Sequence, residues 1–182
     1  NHIVVASDRH VPQSIYRRYV DMLDFARKYE NYTVFYNGPE CGASAPDHLH
    51  FQAAKKGQMP LEKDVERLLD LSAGTVSDGL PATLEYMASV RDADVFHYRK
   101  FLRGIFVLRA GTSKSMAKLF YRLIDCAAVS DESREPMFNL FTWYSKGEYR
   151  SIVIFRQSHR SHHYFSEGDD HLTMSPGCAD MA

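Results

Sequence analysis

A turn-rich loop followed by alternating histidines is the feature that most constrains how this chain can fold. The loop lies between the apolar run Tyr32–Tyr36 and His48, and four of its residues do not fit comfortably inside a helix or strand: Gly38, Pro39, Gly42 and Pro46. The backbone must therefore turn repeatedly here, and a turning backbone exposes amide groups that can bind anions.

The segment after the loop has the two-residue period of a β-strand. His48, His50 and Gln52 alternate with Leu49 and Phe51. Successive side chains of a strand point to opposite faces, so the three polar groups share one face and the two apolar groups share the other. The sequence therefore predicts a strand with one face in the core and one face available for chemistry.

The two histidines of this segment have three interpretations. They are surface residues of a chain that contains nine histidines, they share a metal ion as alternating strand histidines can, or one of them is a nucleophile. No Cys-x-x-Cys pair or further cluster of metal-ligand residue types stands nearby in the sequence. The combination of a glycine-containing bend, a side-chain amide and two imidazoles in one short segment favours the nucleophile.

The run Gly42–Gln52 resembles the signature of one branch of the histidine-triad superfamily. That branch holds galactose-1-phosphate uridylyltransferase, diadenosine tetraphosphate phosphorylase and the GDP-hexose phosphorylases, and its signature is His-x-His-x-Gln. The resemblance is most specific over Asn37–Gln52, weaker over Asn1–Gln13 and faint over the second half. The chain is most similar to uncharacterised bacterial relatives of the branch.

The resemblance implies a role for each residue of the signature. In that branch the second histidine is the nucleophile, here His50, and the backbone carbonyl of the first, here His48, holds the Nδ1–H of the nucleophile. Glutamine replaces the third histidine of the hydrolase branches, so Gln52 is expected to hold a phosphoryl oxygen. The loop residues expected to bind phosphate are Asn37, Gly42, Ala43 and Ser44.

The implied activity is that of a nucleotidyltransferase or phosphorylase. His50 would attack the α-phosphorus of a nucleotide sugar or nucleoside polyphosphate and form a nucleotidyl-histidine, from which phosphate or a sugar phosphate would collect the nucleotide. No cofactor is required, and a metal is unsupported because the cysteines that help to hold zinc in some uridylyltransferases have no counterpart here. The resemblance leaves open the identities of the base, the sugar and the acceptor. It also leaves open whether the protein forms a homodimer.

Two alternative functions remain at this stage. A non-catalytic nucleotide-binding module would use the same fold without turnover, and a metal-dependent phosphohydrolase would use the histidines as metal ligands. A covalent adduct on His50 discriminates the enzyme from the module, and elemental analysis of the purified protein tests the hydrolase.

Composition excludes several other functions. Of the 182 residues 45% are apolar, enough for one substantial domain over residues 1–182. The net charge of −1 leaves no electrostatic footprint for a nucleic acid polymer or an anionic membrane, and no apolar run approaches about 18 residues. Three widely spaced cysteines argue against a disulfide framework and favour a reducing, cytoplasmic location.

The first part of the chain predicts an α+β fold in which helices cover antiparallel strands. An amphipathic helix is predicted from Ser14 to about Tyr29. Strands are predicted at Ile3–Ala6, Tyr32–Tyr36 and His48–Ala54. The resemblance implies that residues 1–58 form one repeat of a histidine-triad-like fold, the repeat that carries the signature.

Residues 59–100 are predicted to be a helical insertion or linker. A helix is expected from Pro60 to about Asp70. Three segments follow it: a linker at Ser72–Leu80, a weak helical spacing at Leu84, Met87 and Ala88, and a solvated turn at Arg91–Asp94.

Residues 101–182 are predicted to be a degenerate second repeat, because a strand, a helix and two strands recur there in the order of the first half. The predicted elements are a strand at Phe101–Ala110, a helix capped by Thr112 or Ser113 that runs to about Ala127, and a hairpin of Met137–Tyr144 and Tyr149–Arg156.

The histidines of the second half do not alternate along a strand. His159, His162 and His163 follow the hairpin and are interpreted as solvated loop residues. In the alternative interpretation these histidines, with Arg156 and Arg160, bring positive charge to a substrate phosphate.

Overall fold

A computed structural model describes residues 2–72, 84–99, 104–129 and 133–157. In these ranges it contains three helices and eight strands, which in chain order are β1 (His2–Ala6), α1 (Tyr19–Lys28), β2 (Tyr32–Asn37), β3 (His50–Lys55), α2 (Pro60–Ser72), β4 (Leu84–Val90), β5 (Ala93–Tyr98), β6 (Ile105–Ala110), α3 (Ser113–Asp125), β7 (Phe138–Ser145) and β8 (Glu148–Phe155). Within the described ranges no helix is long and apolar enough to cross a membrane.

All eight strands belong to one antiparallel sheet with the order β1-β3-β2-β7-β8-β6-β5-β4. The first-half strands join the second-half strands where β2 pairs with β7, and in this pairing Val34–Asn37 lie opposite Asn139–Thr142. The predicted α+β class is confirmed, and strands of both halves belong to this one sheet. The predicted hairpin is also present as β7 and β8, joined at Lys146–Gly147.

Helices α1 and α3 cover one face of the sheet. Tyr19 of α1 lies against Phe120 of α3, with ring centroids 4.0 Å apart, and both rings are fully buried with Tyr36 and Phe138 of the two central strands. Thr112 caps α3, because its side chain accepts a hydrogen bond from the Ser115 amide at 3.2 Å. This apolar layer fixes both helices over the junction of the two halves.

Helix α2 packs on the opposite face of the sheet, in a core cluster around the fully buried Trp143. Glu66 of this helix accepts hydrogen bonds from the Trp143 indole and from Arg150. Glu62 accepts from Thr33 at 3.0 Å. These contacts lie where β2 and β8 begin and β7 ends, so they leave the other end of the same strands to the loop and His50.

Helix α1 and strand β3 begin later than predicted. Helix α1 starts at Tyr19 rather than Ser14 because Arg17 has a positive φ of 65° and the amide of Ile15 donates to the Glu135 carboxylate instead of entering a helix. Strand β3 starts at His50 rather than His48 because the His48 amide still closes a turn, donating to the carbonyl of Ala45.

Residues 59–100 are not a purely helical insertion. Helix α2 is present, but Leu84–Val90 and Ala93–Tyr98 are strands of the main sheet, and the predicted solvated turn narrows to Arg91–Asp92. A register irregularity between Tyr86 and Ala88 inserts one residue into β4. The extra residue breaks the two-residue period and produces the spacing that imitates a helix. Residues 73–83 and 100–103 lie outside the described ranges.

One buried hydrogen bond between the halves yields a stability prediction. The Tyr19 hydroxyl of α1 lies 2.6 Å from the Ser151 hydroxyl of β8. Tyr19→Phe should lower the free energy of unfolding by about 1 kcal/mol, the usual net value of such a bond. Urea unfolding followed by Trp143 fluorescence and by far-UV circular dichroism should show the same shift, because one sheet joins the halves.

The matched control is Tyr29→Phe. This ring is 41% exposed and packs against the ring of Phe25, a contact that a phenylalanine can also make. The control should change stability by less than about 0.5 kcal/mol. Separate transitions for the two probes would contradict the prediction.

Candidate active site

His50 is the first residue of β3 and is only 6% exposed. Its chain neighbours Leu49 and Phe51 are buried in the core cluster under α1 and α3. His50 and Gln52 therefore lie on the other face, because side chains alternate along a strand. The predicted division into a core face and a polar face is confirmed for His50 and Gln52, whereas His48 lies before the strand.

The imidazole of His50 is held by its own chain. Its Nδ1 lies 2.9 Å from the carbonyl oxygen of His48. A carbonyl only accepts hydrogen bonds, so Nδ1 carries the proton and the neutral ring keeps its lone pair on Nε2. The Ser44 hydroxyl lies 3.5 Å from that nitrogen. A ring fixed in this tautomer has the form that a nucleophilic histidine requires.

The His48 side chain holds the backbone around the site. Its Nε2 donates to the carbonyl of Ser7 at 2.9 Å, and its ring lies 5.0 Å from the ring of His10. His10 in turn is 3.3 Å from the exposed carboxylate of Asp47. The His48 carbonyl orients His50, whereas the His48 side chain ties the motif to the end of β1.

Gln52 has a defined amide orientation. His2 donates from Nε2 to Oε1 of Gln52 at 2.7 Å, and the His2 ring stacks on Phe35 at 5.8 Å between centroids. This bond occupies the acceptor end of the amide. The N–H end is therefore the end that can donate to a ligand.

Gln13 anchors the backbone of His50, a role that the sequence did not reveal. Its side chain is 2% exposed; Oε1 accepts from the His50 amide at 2.9 Å, and Nε2 donates to the carbonyls of His50 at 3.1 Å and Asn37 at 3.0 Å. The pairing of β2 with β3 ends at Phe35 and Gln52. Beyond that pair, hydrogen bonds from the Gln13 side chain take the place of backbone hydrogen bonds between β2 and β3. The side chain thereby holds the two strands apart.

The predicted phosphate loop is folded against β7. Gly38 approaches this strand so closely that a Cβ on it would lie 3.2 Å from the Phe138 carbonyl. Gly42 has a φ of 89°, which glycine adopts without strain. Ala43 and Ser44 follow it, the former half-buried and the latter exposed next to His50.

Residues of the second half complete the loop. Asn139 of β7 donates to Oδ1 of Asn37 at 2.7 Å and to the carbonyl of Cys41 at 2.8 Å. Arg156, just after β8, donates to Oδ1 of Asn139 at 3.4 Å. The structure thus brings Arg156 to the predicted loop, while Arg160, His159, His162 and His163 lie outside the described residues.

A buried carboxylate supports the loop from the core side. Glu135 is 2% exposed and accepts from the Tyr36 hydroxyl at 2.6 Å and from the Ile15 amide at 2.8 Å. Burial raises the pKa of Glu135 above its ordinary value, and the bonds from Tyr36, Ile15 and Ser14 oppose that rise. Glu135 therefore links the segment before α1 to the strand that ends at Asn37.

Cys41 is a poor candidate for a second nucleophile in this loop. Burial raises the pKa of its thiol to about 12, although the charge of Arg156 opposes the shift. A thiol with such a pKa carries almost no thiolate at neutral pH. Cys41 and Cys126 are both free thiols, and Cys178 lies outside the described ranges. Among the described residues, no three His, Cys, Asp or Glu side chains are grouped as ligands for a metal.

Sequence reasoning proposed the central residues of this candidate site but missed the residues that support them. Asn139 carried a weak signal, because it is an isolated polar residue in the apolar run Phe138–Phe141. Gln13 and Ser7 carried none, since they act through backbone groups far away in the chain. Only the fold reveals such partners.

The fold and the site together define an α+β protein with a histidine anchored through Nδ1 beside a glycine-containing loop. A family model described as a domain of unknown function (DUF4922) matches residues 1–55. A crystal structure of a DUF4931 family protein from Bacillus cereus ATCC 10987 is similar at 14% identity and a TM-score of 0.44, over 92% of this chain and 73% of that one. No curated protein matches the chain. At this level of similarity, no property of those proteins is transferred to this chain.

The position of Gln13 yields a second prediction. Gln13→Met keeps the side-chain length but removes the hydrogen bonds to three backbone groups of His50 and Asn37. An unsatisfied buried polar group costs about 1–3 kcal/mol, so the free energy of unfolding should fall by roughly 3 kcal/mol or more. Chemical denaturation measures this change.

Gln58→Met is the matched control, because Gln58 is exposed in the turn before α2. It should leave stability within about 0.5 kcal/mol of the parent protein. Equal stabilities of the two variants would show that Gln13 does not hold His50 in solution.

Proposed function

We propose that this protein is a nucleotidyltransferase or phosphorylase that acts through a covalent nucleotidyl-His50 intermediate. The observation that carries the proposal is the hydrogen bond from His50 Nδ1 to the His48 carbonyl, which leaves the Nε2 lone pair beside Ser44 and the loop. The substrate is a nucleotide sugar or nucleoside polyphosphate, and the acceptor is phosphate or a sugar phosphate.

The first step is attack of His50 Nε2 on the α-phosphorus. A bond forms between Nε2 and phosphorus while the bond from phosphorus to the bridging oxygen breaks, and the leaving phosphate or sugar phosphate keeps the electron pair. The ring becomes cationic because Nδ1 retains its proton, and the His48 carbonyl stabilises that charge. In the second step an oxygen of the acceptor phosphate attacks phosphorus and restores neutral His50.

The negative charge on the phosphoryl oxygens needs donors fixed in advance. Gln52 can supply its N–H group, because His2 occupies the amide oxygen. The Ser44 hydroxyl and the amides around Gly42 add further donors, and Arg156 contributes positive charge from the second half. Prearranged donors of this kind commonly provide the largest single contribution to such catalysis. The mechanism uses no cofactor.

We further propose that the fold is histidine-triad-like, with residues 101–182 as a degenerate second repeat. The order strand, helix, strand, strand occurs as β1-α1-β2-β3 and again as β6-α3-β7-β8. Outward from the β2–β7 junction, the sheet follows β2-β3-β1 on one side and β7-β8-β6 on the other. In this arrangement Gln52 pairs with Phe35 and Ile152 pairs with Phe141, so the second repeat has an apolar residue where the first has an amide.

One observation favours a second candidate, a nucleotide-binding module without turnover. The Ser44 hydroxyl lies 3.5 Å from His50 Nε2 and can donate to the lone pair that the transfer reaction needs. A resting histidine occupied in this way binds phosphate without attacking it. Mass spectrometry after incubation with nucleotide sugars separates the two, since only the enzyme gains a nucleotide-sized mass on His50.

The transfer proposal predicts a large loss on removal of the nucleophile. His50→Ala should reduce transfer by several orders of magnitude, as loss of a covalent nucleophile commonly does. The assay is release of product from a panel of nucleoside diphosphate sugars with added phosphate. His48→Ala is the matched variant and should cost less, because its backbone carbonyl remains. Turnover of His50→Ala above about one per cent of the parent rate would contradict the assignment.

The amide of Gln52 should affect how the nucleotidyl-His50 intermediate partitions between water and the phosphate acceptor. A histidine at this position could accept a proton from water near neutral pH, whereas an amide can only donate hydrogen bonds to the phosphoryl group. Gln52→His should therefore raise the ratio of hydrolysis to transfer. Gln52→Ala should slow both reactions on the order of 10²-fold, by analogy with deleted oxyanion donors.

Product counting measures this partitioning. Each variant is incubated with a reactive nucleotide sugar, with and without phosphate, and nucleoside monophosphate is compared with diphosphate. An unchanged ratio in Gln52→His would remove the proposed role of the amide.

A further inference from the structure

We infer that Asn139 is a positioning residue that turns the Asn37 side-chain amide so that its N–H group faces the bound phosphate. The inference rests on the proposed function for the identity of the anion. The geometric part of the inference depends on the hydrogen bonds that join β7, β2 and the loop.

The Asn139 side-chain amide has one defined orientation. Its Nδ2 group has two protons and two acceptors, Oδ1 of Asn37 at 2.7 Å and the Cys41 carbonyl at 2.8 Å. Its Oδ1 accepts from Arg156 at 3.4 Å. A flipped amide would place an oxygen against two acceptors and an N–H group against a guanidinium. With the side chain 8% exposed, only one orientation is compatible with these neighbours.

The orientation of the Asn139 amide also fixes the orientation of the Asn37 amide. Because Asn139 donates to Oδ1 of Asn37, the Nδ2 group of Asn37 is turned away from β7 and towards the β3 side. The Asn37 backbone is held on that side by Gln13, which also holds His50. The Asn37 amide thus presents a donor on the face of the sheet that carries His50.

The positive charge of Arg156 lies at the start of this chain of hydrogen bonds. Arg156 donates to Asn139, and Asn139 donates to Asn37, so all three dipoles point the same way. Hydrogen bonds in such a chain polarise one another. The second half of the protein therefore acts on the phosphate site through Asn139, even though β8 carries no imidazole in its described part.

The test uses Asn139→Asp and Asn139→Leu in the full chain. An aspartate can accept but not donate, so Asn37 must flip to donate to it and then turns an acceptor towards the anion. Leucine lets the Asn37 amide take either orientation. Loss of a hydrogen bond to a charged group corresponds to roughly 10- to 100-fold in affinity. We expect that loss for Asn139→Asp and a smaller one for Asn139→Leu.

A purely structural role predicts that Asn139→Leu weakens binding at least as much as Asn139→Asp. Both variants lose the donor to the Cys41 carbonyl, but aspartate keeps the shape of asparagine and can still bind Arg156, so on this view leucine should disturb the loop at least as much as aspartate does. Affinities are measured by calorimetry with inorganic phosphate and with AMP, GMP, UMP and CMP tested singly. If Asn139→Leu weakens binding as much as Asn139→Asp or more, the positioning role is overturned.

The added charge of aspartate is controlled by a double-mutant cycle. Asn37→Ala removes the group through which Asn139 is proposed to act. In that background, Asn139→Asp should lose most of its effect, whereas simple repulsion between aspartate and anion would persist. Additive effects of the two substitutions would therefore overturn the inference.

Side-chain amide NMR gives a readout independent of turnover. The Asn37 amide resonances, assigned by their loss in Asn37→Ala, should shift when phosphate or a nucleoside monophosphate binds the parent protein, and should not shift in Asn139→Asp. Absence of a shift in the parent would overturn the inference. The adduct on His50 is scored separately, so a protein with the shift but no adduct would refute only the catalytic proposal.

A further variant keeps the test decisive if Asn139→Asp does not fold. Asn37→Asp retains the acceptor that Asn139 needs, removes the N–H donor and adds a negative charge, so the loop should stay in place while anion binding weakens. Folding is checked by Trp143 fluorescence and circular dichroism. Phosphate and nucleotide affinities equal to those of the parent would show that the Asn37 donor does not contact the anion.

Discussion

The side-chain amide of Gln13 is the interaction on which the candidate site depends. Backbone N–H and C=O groups inside a protein must find partners, and at His50 they would ordinarily find them in β2. Gln13 supplies both partners instead, and it takes the Asn37 carbonyl as well. Strands β2 and β3 are therefore held at a fixed separation where the polar face of the sheet meets the loop. In the proposed reaction, a histidine on so constrained a backbone needs little reorganisation before attack.

The pairing of β2 with β7 is the second constraint, because it makes one site out of two halves. It places Asn37 opposite Asn139, and beyond Asn139 it brings Arg156 to the loop. Helices α1 and α3 meet over this junction, so apolar burial on one face holds the polar chain in register on the other. The second half, whose resemblance to the superfamily is faint in sequence, therefore contributes Asn139 and Arg156 to the loop.

Much of the fold was predictable because its elements obey simple periods. The alternation of Leu49 and Phe51 with His50 and Gln52 predicted both faces of β3, and the hairpin of β7 and β8 followed from a turn between two apolar runs. Residues 84–90 were predicted poorly for an equally simple reason. One inserted residue between Tyr86 and Ala88 changes the period, and a period is all that a single sequence offers. Helix α1 was extended too far because the bond from Ile15 to Glu135 joins residues far apart in the chain.

The sequence by itself determined the chemical groups of the candidate site and their local geometry. His48 and His50 are two residues apart at the start of β3, so the bond from the His50 ring to the His48 carbonyl needs only this short segment. Tertiary structure alone decided which way the amides point and what holds them. Gln13, Asn139 and His2 reach the site from separate elements, and hydrogen bonds between such distant residues leave no period or spacing in the sequence.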